Sequence, residues 1–315
     1  MKMTTRTANL MLLLISILWG SGFIATKVVL DANVTAGFIN LIRGSIFSVL
    51  TLLFFRKKIF KMTVKDFKVG LIAGLLNFGG FITQTTGMKY TTPSNSAFIT
   101  SIYVVIIPII AWLLYKKPLE FKSFISIALC LLGTAILTGI TTEKLNINIG
   151  DLYTLVCAFF YASSIAYISY GAKKTDFSVV AFILATVQAI GGLGHFIIFD
   201  GGRLTGVNWQ ISIFPLLYMG VVCSFIAQTI QVFAQRHTSA TAAGLIMMLE
   251  GFFGSVFSVA FGFEPFTSRL AIGGTIIMIS LVLIEVDFIQ LKKWLTKDSR
   301  ITRNDDGIIT KDSTL

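Results

Sequence analysis

Charge is scarce in this chain of 315 residues. Asp, Glu, Lys and Arg together make up 13%, against about a quarter in ordinary soluble domains. With 55% of residues hydrophobic, that scarcity excludes one or two soluble domains as the reading of this length. Cysteine is also rare. Cys130, Cys157 and Cys223 all fall in apolar runs, with no metal-type spacing, and read as buried thiols. The two histidines, His195 and His237, have no companions at ligand spacing, so no metal site is expected. There is no phosphate loop, no Walker-type Lys-Ser/Thr and no Ser-His-Asp set. The chain is therefore expected to be no enzyme and to need no cofactor.

What is present is apolar and periodic on the scale of a bilayer. A spanning helix needs roughly 20 mostly apolar residues. Ten segments qualify, at about 9–30, 36–55, 69–90, 94–115, 121–140, 151–172, 177–199, 211–234, 239–262 and 269–287. Lys2 and Arg6 ahead of an apolar run give residues 1–23 the look of a signal peptide. No small-residue cleavage site follows, so this run is read as a retained first helix. The expected fold is an all-α polytopic membrane protein. Residues 287–297 mix Phe288, Leu291 and Trp294 with Lys292 and Lys293, as in an interfacial helical end. The polar tail beyond is expected to be disordered.

Ten spans place both termini on one side. Of the 26 Lys and Arg residues, 20 then fall on the terminal side and 5 on the other, with Arg43 inside a span. That bias predicts cytoplasmic termini and accounts for the net charge of +11 without a nucleic-acid partner.

The chain also echoes itself. Phe81–Thr85 reads FITQT and Phe225–Thr229 reads FIAQT; SAFI at Ser96–Ile99 is matched more loosely by AGLI at Ala243–Ile246. The weak repeat divides the chain into 1–142, 143–290 and a cytoplasmic tail, 291–315. Five spans per half is odd, so the second half must insert upside down, the inverted-repeat plan of transporters.

Few residues within the spans could carry chemistry. Glu250 lies mid-span in Ser239–Gly262, beside Gly244, Gly251, Gly254 and Ser258. A carboxylate at that depth costs several kcal/mol if unpaired and is presumed functional, the other reading being a protonated structural strut. The small residues let helices approach closely. Arg43 either snorkels toward the surface or serves as counter-charge to a substrate carboxylate or to Glu250. Trp19 in the first span and Tyr161 in the sixth sit at comparable places, as packing or as the aromatic face of a cavity. Asn77, Gln84, Gln228 and Gln231 are amides at membrane depth, able to bind substrate or to tie helices together. Tyr103 and Pro108 share the fourth span, and Pro108 should kink it one turn upstream.

Taken together, LWGSGFIATK at Leu18–Lys27, TPSNSAFI…VVIIP at Thr92–Pro108 and MLEGFFGSVFSVAFGFE at Met248–Glu264 resemble the drug/metabolite transporter superfamily, specifically its EamA-type members. The resemblance covers most of residues 9–287. Gly251 stands where that family often has proline, which leaves no proline to kink the ninth span. The resemblance implies ten helices in two inverted five-helix repeats. It implies secondary active export or exchange of small metabolites such as amino acids, by alternating access, from the plasma membrane. It also places Trp19, Asn77, Tyr103, Tyr161, Gln228, Met247 and Glu250, with Arg43, around a central cavity. The partners so implied are a small-molecule substrate, a coupling proton and the lipid bilayer. A passive facilitator for small polar solutes is the competing expectation; it would need a continuous polar stripe, and the polar residues here are scattered in depth.

Overall fold

In the computed structural model, residues 4–116, 121–138, 148–172, 174–238 and 240–285 are described. They form helices α1 (Thr5–Asp31), α2 (Ala36–Ile59), α3 (Val64–Met88), α4 (Pro93–Ser101), α5 (Tyr103–Tyr115), α6 (Phe121–Thr138), α7 (Ile149–Tyr170) and α8 (Phe177–Ile198). There follow α9 (Trp209–Tyr218), a π-helix (Met219–Ile226), α10 (Ala227–Ala234), α11 (Ala240–Met247), α12 (Leu249–Ala260) and α13 (Ser268–Glu285). Seven helical runs are long and apolar enough to cross a membrane: α1, α2, α3, α4–α5, α7, α8 and α9–α10. Shorter apolar helices in α6, α12 and α13 fill out the remaining positions. The interfacial stretch 287–297, the tail 291–315 and the border at 142/143 lie outside the described residues.

Polar residues mark where the helices begin. Thr63 and Asp66 form a reciprocal capping box at α3, and Thr92 caps α4 with Pro93 in its first turn. Asn148, Asp176 and Asn208 cap α7, α8 and α9. Between the caps the exposed surface is apolar: Leu53, Phe54, Leu114 and Phe214 all stand largely free. That is the surface a bilayer would solvate and water would not.

Packing is set by small residues. α2 and α8 lie closest, because Gly44 faces the α8 backbone and Gly192 faces α2. A Cβ on Gly44 would come within 2.7 Å of Ala189 Cα, and one on Gly192 within 2.7 Å of the Asn40 carbonyl carbon. Amides then join the pair: Gln188 Nε2 donates to Asn40 Oδ1 at 3.1 Å, and Asn40 Nδ2 donates to Thr85 Oγ1 at 3.2 Å. Other contacts pair α6 with α13, α3 with α7, and α1 with the α9–α10 rod and α12.

Two rods are broken mid-way, and neither break has a proline at it. The fourth span divides at Ile102, where the hydrogen bonds Ile102→Ile99 and Val105→Ile102 tighten the turn. The kink expected one turn before Pro108 thus lies six residues before it, and Pro108 sits inside α5. The ninth span divides at Met248, whose carbonyl accepts from the Gly251 N–H at 3.0 Å. The breaks meet: Ser101 Oγ donates to Ala97 O at 3.0 Å and to Met248 O at 3.1 Å, leaving no room for a side chain at Gly251.

Candidate functional site: a cavity with opposed charges

Where the broken rods meet α1, α2, α3, α7 and α10 they leave a cavity with about 50 Å³ of space for the centres of water-sized molecules. Its wall takes residues from both halves of the chain. Of the eight residues singled out from the sequence, seven line it: Trp19, Arg43, Asn77, Tyr103, Tyr161, Gln228 and Glu250. Met247 lies outside the lining. It is fully buried, and its sulfur accepts a weak contact from Gln235 Nε2 at 3.9 Å. Gln84 and Gln231 also reach the wall, as do Phe81, Ser164 and Cys223, which the sequence does not single out.

Glu250 owes its position to the break at Met248. The break makes it a first-turn residue of α12, where the free N–H groups and the helix dipole favour a carboxylate. It is 5% exposed, and the Tyr103 hydroxyl is its near electrostatic neighbour. The Tyr103 hydroxyl has no hydrogen-bond partner of ordinary geometry among the described residues.

Arg43 is held from two directions. Its Nε donates to Ser224 Oγ at 3.0 Å, and its guanidinium carbon lies 4.6 Å from the centroid of the Phe81 ring. Phe81 is braced in turn by an edge-on contact with Tyr161, centroids 5.4 Å apart. Tyr161 is within electrostatic reach of both Arg43 and Glu250. Arg43 and Glu250 form no ion pair with each other among the described residues. The cavity therefore holds a cation and an acid kept apart.

The π-helix shapes the wall beside them. Its wider turn disturbs the carbonyl ladder, and the Trp19 indole N–H donates to the Cys223 carbonyl at 2.9 Å. Trp19 thus spends its polar atom on the scaffold and turns a ring to the cavity. The same segment sets Ser224 under Arg43 and leads into Gln228 and Gln231. Gln228 is 1% exposed with neither amide atom partnered, and Asn77 Oδ1 is likewise unpartnered. Buried polar atoms without partners cost about 1–3 kcal/mol each, and their convergence on one cavity marks a place prepared for a polar ligand. Among the described residues no group of three or more His, Cys, Asp or Glu side chains could hold a metal ion.

Comparison with known proteins agrees with this architecture. The model of the EamA-like transporter family matches twice, over residues 6–139 and 148–286. An uncharacterized transporter of Archaeoglobus fulgidus is 32% identical over 279 residues, covering 89% of this chain and 86% of that one. A solute carrier family 35 member F2 of Mus musculus is 23% identical over 206 residues, 62% of this chain and 54% of that one. A solved crystal structure with 16% identity aligns with 92% of this chain and 99% of its own, at a TM-score of 0.68, and so shares the fold. With both halves of the chain matched, the molecule is a multi-pass membrane transporter of the EamA-like transporter family.

Proposed function

We propose that this transporter is secondary active, exporting or exchanging small metabolites such as amino acids by alternating access. The observation that carries the reading is Glu250, a buried acid on the wall of a cavity shared by both halves, with Tyr103, Asn77 and Gln228 on the same wall. A carboxyl group so placed can take up a proton or a solute amine and release it to the other side. The two halves, at 1–142 and 143–290, would rock around that site. The bias of basic residues supports cytoplasmic termini and a plasma-membrane location.

The test is uptake of labelled amino acids, in pools, into proteoliposomes of the full chain, with and without an inward-acidic pH gradient. The reading predicts saturable accumulation that requires the gradient. Saturable flux that only equilibrates would identify a facilitator instead, and no flux for any pool would contradict amino acids as the solute class.

A further inference from the structure

The cation in the cavity lacks a counter-charge. Arg43 is 5% exposed, and its two protein contacts, the Ser224 hydroxyl and the Phe81 ring, carry no negative charge. No carboxylate lies within ion-pair distance of it among the described residues. Its Nε is used by Ser224, whereas its two terminal nitrogens make no hydrogen bond among the described residues, and the residue lines the cavity. Those nitrogens form the planar edge that grips a carboxylate with two parallel bonds. A desolvated guanidinium without an anion is costly, so the missing anion is most economically the ligand.

We infer that the transported solute carries a carboxylate and that Arg43 docks it; this rests on the transporter reading above. A second observation supports it. Gln228 stands one helical turn beyond Ser224, buried, with its amide donor and acceptor both unpartnered. It can complete the contacts of a polar headgroup. Arg43 is the one cationic side chain of the lining, and Glu250 shares the cavity. One positive charge suits a singly charged carboxylate and leaves a phosphate monoester, near two negative charges, uncompensated. Trp19, Phe23 and Ile165 give the rest of the ligand an apolar wall.

The experiment uses the full chain and reads ligand-induced thermal stabilisation. The probes are leucine, phenylalanine, glutamine and 4-methylpentanoate, each paired with the carboxamide that lacks only the negative charge. At least one carboxylate should stabilise the wild type while its amide does not. Arg43→Gln should weaken that binding about tenfold or more, and Arg43→Lys less, since charge survives but the fork does not. Ser224→Ala should weaken it mildly and keep the preference for the acid, which separates docking from a general loss of fold. The inference is overturned if an amide binds as well as its acid, if Arg43→Gln binds unchanged, or if no carboxylate stabilises the wild type. Flux measured on the same preparations keeps the two readings apart. Transport of uncharged or cationic solutes that ignores Arg43→Gln would retain the transporter proposal and sink this one. Arg43-dependent carboxylate binding without any flux would keep Arg43 as a carboxylate-docking residue but overturn both the transport reading and the claim that the carboxylate is the transported solute.

Discussion

Trp19, Arg43 and Glu250 were legible in the sequence because each is a residue type that bilayer depth makes expensive or unusual. What they touch was not. Arg43 is held by Ser224 and Phe81, and nothing in the pattern of a serine or phenylalanine among apolar neighbours announces that task. Met247 shows the converse: adjacent to the ninth-span break, it packs into the core and leaves the cavity wall to others. At the end of the bundle where α1 begins, Asp176 joins the halves through Lys58, N···O 2.9 Å, while also capping α8. Partial burial pushes the Asp176 carboxyl up, but bonds from Ser178 and Lys58 outweigh this and hold it below the usual carboxylate value. A depressed folded-state pKa adds stability above the unfolded value, near 3.9, and loses it as pH falls through the folded one. Asp176→Asn should therefore lower the melting temperature modestly at neutral pH, and the gap from wild type should close below about pH 4. A gap that persists in acid would show that Asp176 acts otherwise than as a carboxylate.

The helices themselves were readable as apolar runs, and their ends agree with the sequence to within about five residues; the caps at Thr63, Thr92 and Asp176 are chemical signals that the apolar runs alone do not use. Their interruptions were not readable. The breaks at Ile102 and Met248 and the π-helix at Met219–Ile226 change which carbonyl each N–H meets, without changing composition. Only proline offers a local signal, and the break at Ile102 lies about two residues upstream of the turn that Pro108 would kink. Yet the breaks fall at corresponding places, 102 and 248, within the offset that relates FITQT to FIAQT and SAFI to AGLI. The repeat thus reappears as backbone geometry. Close approach of α2 and α8 is the element-scale feature most exposed to test. Gly44→Val would drive carbon into the α8 backbone, which cannot yield without parting the helices. A loss of roughly 2 kcal/mol or more is expected, seen as a lower melting temperature and poor accumulation in the membrane. Wild-type stability in that variant would mean the helices separate freely.

Across the whole molecule the two ends are fastened differently. At the end opposite the termini, Asp200 accepts from the Gly37 N–H at 2.8 Å, Glu264 from the Ser94 N–H at 3.0 Å, and Asp151 from the Thr91 hydroxyl. Asn148 adds a bond to Tyr90 O at 2.8 Å, and the Asn208 N–H one to Ala32 O at 3.0 Å. All five join the first half to the second. The other end, among the described residues, is tied by the half-exposed Lys58–Asp176 pair and by aromatic contacts such as Phe55–Phe177 and Tyr115–Tyr170. Solvent-exposed pairs of this kind contribute about 0–1 kcal/mol, so the contacts among the described residues fasten one end more firmly than the other. Such an asymmetry would suit one state of the proposed cycle. The cavity between the ends, with Glu250 on its wall, is where the cycle would couple to protons. That is tested most directly in proteoliposomes carrying a pH-sensitive dye, by adding the transported solute and recording proton movement in wild type and Glu250→Gln. Proton movement that starts with the solute in the wild type and is absent from a folded, membrane-inserted Glu250→Gln is the predicted result. Equal solute-driven proton movement in both would contradict the role assigned to Glu250.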